Sequence, residues 1–144
     1  MDLTMSPQER DAFLAEPRIG LICIEQPGGS PLAVPIWYGY APDRGIWITT
    51  TDDSLKAKRL NAAGRFTLVV HDEERPHRYV SVEGPVVEAR PCGPEADIRP
   101  LAERYVGPEE QEMYVQVSSQ TPCSLYVMKP EVWRTMDQTK VPAG

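Results

Sequence analysis

The sequence predicts a mainly β (α+β) fold, a small barrel of six to seven antiparallel strands with helical inserts. Three observations carry this. Short apolar or alternating runs of strand length recur along the chain, separated by tight turns. Helical patterning is confined to the N-terminus, one short stretch after the third strand and one excursion before the last strands; a parallel α/β sheet would need a helix after nearly every strand. Fifteen prolines fall mostly between the strand-like runs, as stiff turns require. At 144 residues, with no internal repeat and no linker-like segment, residues 1–144 read as one domain with one core.

The elements follow in order. Ser6-Pro7-Gln8-Glu9 is a capping box with proline at the first helical position; it opens a helix carrying Phe13 and Leu14 that Pro17 ends. Arg18 to Glu25 is an apolar run, read as a strand buried on nearly both faces. Pro27-Gly28-Gly29-Ser30 turns the chain into a second strand, Pro31 to Tyr40, in a hairpin with the first. Pro42-Asp43-Arg44-Gly45 turns it again into a third strand, Gly45 to Thr51. A helix at 53–62 precedes a fourth strand, Arg65 to Asp72. His77 to Ala89 is a long strand with a bulge or bend expected at Gly84-Pro85. After a break at Arg90 to Pro94, Glu95 to Val106 is helical and stops at Gly107, and Pro108 to Val117 is a weaker helix. Cys123 to Met128 and Val132 to Met136 are the final strands.

The charge balance excludes some functions. Fifteen Lys and Arg against 21 Asp and Glu give a net charge of −6 with no basic patch, which suits no nucleic-acid binder. The N-terminal residues lack a basic region followed by an apolar one, and no apolar run reaches the length of a membrane span. Cys23, Cys92 and Cys123 show no C-x-x-C spacing and read as free thiols, so a cytoplasmic location is expected. No Cys/His cluster offers a metal site, and neither His71 nor His77 neighbours a nucleophile motif.

One stretch points to ligand chemistry. Thr49-Thr50-Thr51-Asp52-Asp53-Ser54 leads from a strand end into a helix carrying Lys56, Lys58 and Arg59. Hydroxyls, free amides at a helix start and nearby cations can form a phosphate site. The same residues also read as a solvated helix face, and Asp52 and Asp53 would oppose an anion. Val34-Pro35-Ile36-Trp37 is a second candidate: Pro35 cannot donate to a ladder, so the backbone there can open along a planar ring. Trp37 and Tyr38 equally suit ordinary barrel positions, one facing in and one out.

The order of these parts, from Arg18-Ile19-Gly20-Leu21-Ile22 through Pro31 to Tyr38, Ile48-Thr49-Thr50 and Lys56-Ala57-Lys58-Arg59-Leu60 to Tyr79-Val80-Ser81-Val82-Glu83-Gly84, resembles the flavin/deazaflavin oxidoreductases of the split β-barrel superfamily, related to pyridoxamine 5′-phosphate oxidase. The resemblance runs from about Pro7 to Glu88 and more loosely beyond. It implies a split β-barrel of the FMN-binding-protein kind and a homodimer with cofactor sites between subunits. It further implies that the strand of Val34, Pro35, Ile36 and Trp37 lies along the ring. Thr49, Thr50, Lys56 and either Lys58 or Arg59 would hold the phosphate, and His77 and Tyr79 would approach from the partner subunit. The Arg- and His-rich C-terminal motif of the pyridoxamine-phosphate oxidases is missing around Trp133-Arg134-Thr135-Met136, so vitamin B6 oxidation is not expected. The composition resembles the branch that uses the deazaflavin coenzyme F-420, with FMN as the alternative cofactor. The implied activity is hydride transfer to a small electron-poor acceptor, with Tyr79 or Tyr38 as side-chain proton donors. The alternatives are an FMN-dependent oxidase or reductase, a non-catalytic binder of flavin, deazaflavin or haem, and a barrel that binds nothing and serves as an interaction module.

Overall fold

The computed structural model describes residues 1–143; Gly144, the last residue of the expected domain, lies outside the described residues. Helix α1 (Pro7–Ala15) begins at the capping box, where Ser6 Oγ accepts the Glu9 amide and Glu9 accepts the Ser6 amide. Lys140 also donates to Glu9 (2.8 Å), and this bond, with those from Ser6, holds the Glu9 carboxyl down at about 2. The chain then forms β1 (Gly20–Ile24), β2 (Leu32–Ile36), β3 (Gly39–Ala41), β4 (Gly45–Thr51), α2 (Leu55–Ala63), β5 (Arg65–His71) and β6 (Arg78–Pro91). A π turn (Pro94–Ile98) opens the excursion, followed by α3 (Arg99–Tyr105) and α4 (Pro108–Gln120). Strands β7 (Cys123–Met128) and β8 (Val132–Asp137) complete the fold, with a short 3₁₀ turn after them.

All strand pairs are antiparallel, in the order β2-β1-β5-β6-β7-β4-β3, with β8 added to β6. Strand β6 curls the sheet into a split β-barrel. Its first half pairs with β5 and β8, and its second half leaves them to pair with β7. The change of partner falls at Gly84-Pro85, with a register shift between Val86 and Glu88, close to the expected bend. Only glycine fits at 84, because a Cβ there would lie 1.8 Å from the Lys129 carbonyl oxygen. Ile22, Ile24, Ile46, Ile48, Leu68, Val70, Val80 and Val82 alternate into one core, which Phe13 and Leu14 of α1 and Leu60 of α2 close. Each such side chain contributes roughly 1.5–3 kcal/mol by leaving water.

Three expectations need correction. Eight strands form rather than six or seven, because the run 31–40 is two strands. Strand β2 pairs with β1, the chain leaves that sheet at Trp37-Tyr38, and β3 pairs with β4. The crossing is tight: a Cβ at Gly39 would lie 2.0 Å from the Trp47 ring. Strand β1 is buried on one face only, with Leu21 37% exposed on the other. The helix expected at 95–106 starts as a π turn, and the break expected at Arg90 lies later because β6 continues to Pro91. No helix among the described residues is long and apolar enough to cross a membrane.

Candidate functional site

A cleft of about 390 Å³ opens between the barrel and the helical excursion. Its floor is Ile36 and Trp37 at the end of β2, Thr49, Thr50 and Thr51 at the end of β4, and Cys123 at the start of β7. Lys56 of α2 closes one end. Ile98, Leu101, Tyr114, Val117, Ser118 and Thr121 form the roof. The volume lies within the range of small-molecule sites, about 300–1,000 Å³.

The polar end follows from local structure. Strand β4 ends against β7, with Thr49, Thr50 and Thr51 opposite Leu125, Ser124 and Cys123. Ser54 then caps α2: its Oγ accepts the Ala57 amide (3.0 Å) and lies 2.9 Å from Thr50 Oγ1. The amides of Leu55 and Lys56 have no partner among the described residues, as is usual in a first helical turn. That turn carries no acidic residue, and Lys56 makes no ion pair among the described residues. Asp52, which could repel an anion, accepts a 2.6 Å hydrogen bond from Ser124 Oγ, an engagement outside the cleft wall. Threonine hydroxyls and the Lys56 ammonium thus line the cleft beside the start of α2, whose first-turn amides have no partner among the described residues.

The roof is pinned at several points. Trp37 stacks on Tyr105 (centroids 4.9 Å apart, 13° between planes) and tilts against Tyr114 at 4.8 Å. The Tyr105 hydroxyl donates to the Arg18 carbonyl (2.8 Å), lies 3.1 Å from the Tyr38 carbonyl and accepts the Tyr38 amide (3.2 Å). Arg104 donates to the carbonyls of Leu14, Ala15 and Glu16, where α1 ends. At the base of the excursion, Arg90 forms a bidentate pair with Asp97 (2.7 and 2.9 Å), which also accepts the Gly93 amide. The Arg90 guanidinium holds the Asp97 carboxyl below the usual carboxylate range, against the burial that would raise it.

Of the residues expected to hold a ligand, Ile36, Trp37, Thr49, Thr50 and Lys56 come together in this cleft. Val34 and Pro35 lie further along β2, opposite Ile22 and Leu21, outside its wall. Neither Lys58 nor Arg59 lines it: Lys58 is exposed, and Arg59 is half-buried with its Nε enclosed and without a hydrogen-bond partner among the described residues. His77 and Tyr79 sit at the β5–β6 hairpin, where the His77 amide donates to Gln138 Oε1 and Tyr79 pairs with His71 and Met136. Tyr38 is in the core: its hydroxyl donates to the Leu14 carbonyl (3.1 Å), and burial pushes it up to about 12, so it faces no ligand. Of the roof residues, the helical spacing marks Ile98, Leu101 and Val117 only as apolar helix positions, and nothing in the sequence singles out Tyr114, Ser118 or Thr121.

Sequence and structure comparisons agree with this architecture. Residues 6–137 match the family described as pyridoxamine 5′-phosphate oxidase. No curated protein matches the chain. Among solved structures, a conserved hypothetical protein of Mycobacterium tuberculosis, Rv2991, is 26% identical with a TM-score of 0.76, over 99% of this chain and 92% of that one. A protein described as an F-420 reductase is 22% identical with a TM-score of 0.70, over 86% of this chain and 94% of that one. HutZ, described as a heme storage protein of Vibrio cholerae, is 12% identical with a TM-score of 0.66, over 94% of this chain and 96% of that one. At those two identities the likeness concerns the fold alone. With nearly the whole chain matched and the barrel formed, this protein belongs to the pyridoxamine 5′-phosphate oxidase family of split β-barrel proteins.

Proposed function

We propose that the cleft binds the deazaflavin coenzyme F-420 and that the protein is an oxidoreductase acting on a small electron-poor organic acceptor. One observation carries the reading: Lys56, which makes no ion pair among the described residues, and the threonines of β4 line the cleft beside the first turn of α2, and the remaining walls are largely apolar and aromatic. That combination suits a flat ring system bearing a phosphate. The fold likeness to an F-420 reductase supports the same choice.

Lys56 and the amides of Leu55 and Lys56 hold the phosphate, and the Thr50–Ser54 hydroxyl pair orients the helix start. The second basic position stays between Lys58 and Arg59: Arg59 shares a helix face with Lys56, but neither residue lines the cleft, and the Arg59 Nε is enclosed. Ile36, Leu101 and Val117 cover the ring and exclude water. The chemistry such a coenzyme supplies when bound is hydride transfer. Tyr114 is the tyrosine that lines the cleft and is the side-chain candidate for proton delivery.

A homodimer belongs to the same proposal. Ile19 (52% exposed), Leu21 and Tyr79 leave apolar surface on the outside of the sheet, and a second copy packed there would bring its His77 and Tyr79 towards this chain. Paired fluorescence titrations with F-420 and FMN test the reading, with sedimentation reporting the assembly. Saturable F-420 binding tighter than FMN binding is expected. Tighter FMN binding would move the protein to the flavin branch, and binding of neither would reject the site.

A further inference from the structure

Two of the three cysteines flank the helical roof. Cys92 follows β6 and precedes the π turn; Cys123 opens β7 after α4. The β6–β7 register sets Pro91 opposite Ser124, so Cys92 and Cys123 are the next opposed pair, with the Cys92 amide donating to the Cys123 carbonyl (2.9 Å). Opposed residues of an antiparallel pair project to one side of the sheet, with Cα atoms about 5.5 Å apart at a hydrogen-bonded position. That spacing lies within the span a disulfide needs, about 4.4–6.8 Å. Both thiols are free and half-buried, and both line an outer groove with Ser118, Thr121 and Pro122. Cys123 also lines the cleft beneath the roof. Burial and the neighbouring Cys123 thiol push the Cys92 thiol above the usual range, consistent with close approach of the two sulfurs.

We propose that Cys92 and Cys123 form a reversible disulfide that staples the base of the helical roof. The oxidant is a small-molecule disulfide of the glutathione class, reaching the pair through the outer groove. Cys123, which lines both the groove and the cleft, attacks the oxidant as the thiolate and gives a mixed disulfide; Cys92 then attacks the Cys123 sulfur and releases the remaining thiol. One S–S bond breaks and one forms; two electrons and two protons pass from the cysteines to the oxidant, which leaves as two thiols. The closed loop, residues 92–123, contains the π turn, α3 and α4, so oxidation ties together the two points where the roof joins the barrel. Cys23 lies on β1, which pairs with β2 and β5 and not with β7, and stays reduced.

The test is to equilibrate the full-length protein with glutathione disulfide, quench with an alkylating agent in denaturant and weigh the product. The expected result is one alkylated cysteine, Cys23, a Cys92–Cys123 cross-linked peptide, and a Tm raised by roughly 5–10 °C that dithiothreitol reverses. Cys92→Ser and Cys123→Ser should each abolish the cross-link and the shift, whereas Cys23→Ser keeps both. Three alkylated cysteines in the wild-type protein, a stable mixed disulfide as end product or a bridge to Cys23 would overturn the proposal.

Discussion

Replacing Tyr105 with phenylalanine removes one oxygen from the junction between roof and barrel and leaves the stack on Trp37 in place. That oxygen serves the Arg18 carbonyl and the Tyr38 amide, at 2.8 and 3.2 Å. Tyr38 is fully buried, so its amide is left without a partner; the Arg18 carbonyl loses its donor at a half-buried position. At about 1 kcal/mol for each group, the loss is about 2 kcal/mol. A chain of this length unfolds with an entropy of about 0.3 kcal/mol per kelvin, so the Tm should fall by about 7 °C. Thermal unfolding followed by near-ultraviolet circular dichroism measures it, with Tyr105→Ala as the comparison that also loses the ring. A shift below about 2 °C in Tyr105→Phe, or a loss as large as that of Tyr105→Ala, would refute the role given to the hydroxyl.

Two other perturbations read the frame of the site. Gly84→Ala would drive a Cβ into the Lys129 backbone at the turn between β7 and β8; it should cost about 3 kcal/mol, the upper end of the usual range, in urea unfolding, and an unchanged midpoint would contradict the packing described. Asp97, 5% exposed, binds its proton more weakly in the folded chain than in the unfolded one, because of Arg90. Its stabilising contribution is therefore complete above the unfolded carboxylate range, about pH 4, and is lost as pH falls through the lower folded value. The acid limb of a Tm-versus-pH curve should be shallower in Asp97→Asn; an identical limb would remove Asp97 from the account.

Much of the frame was legible because its signals are local. The Ser6–Glu9 capping box, the Gly84-Pro85 bend and the alternation of β5 each depend on residues a few positions apart. The split of residues 31–40 was not legible, because it depends on which distant strand each half meets and on the fit of Gly39 against Trp47. The polar end of the cleft could be read from Thr49 to Lys56, since strand end, cap and cation are contiguous. Its roof could not. Trp37 meets Tyr105 and Tyr114 only because the excursion folds back over the β2 end, and nothing near Trp37 in sequence encodes that. Lys58 and Arg59 show the same limit from the other side: adjacency could not separate an exposed cation from one whose Nε is enclosed.

The most direct measurement is F-420 binding by the wild-type protein and by Lys56→Ala, followed by fluorescence at fixed ionic strength. Loss of a charge-assisted phosphate contact is worth about 1.5–3 kcal/mol, so Kd should rise by about 10- to 150-fold while the Tm of the ligand-free protein stays the same. Equal affinity in the two proteins would place the phosphate elsewhere and contradict the assignment of the cleft.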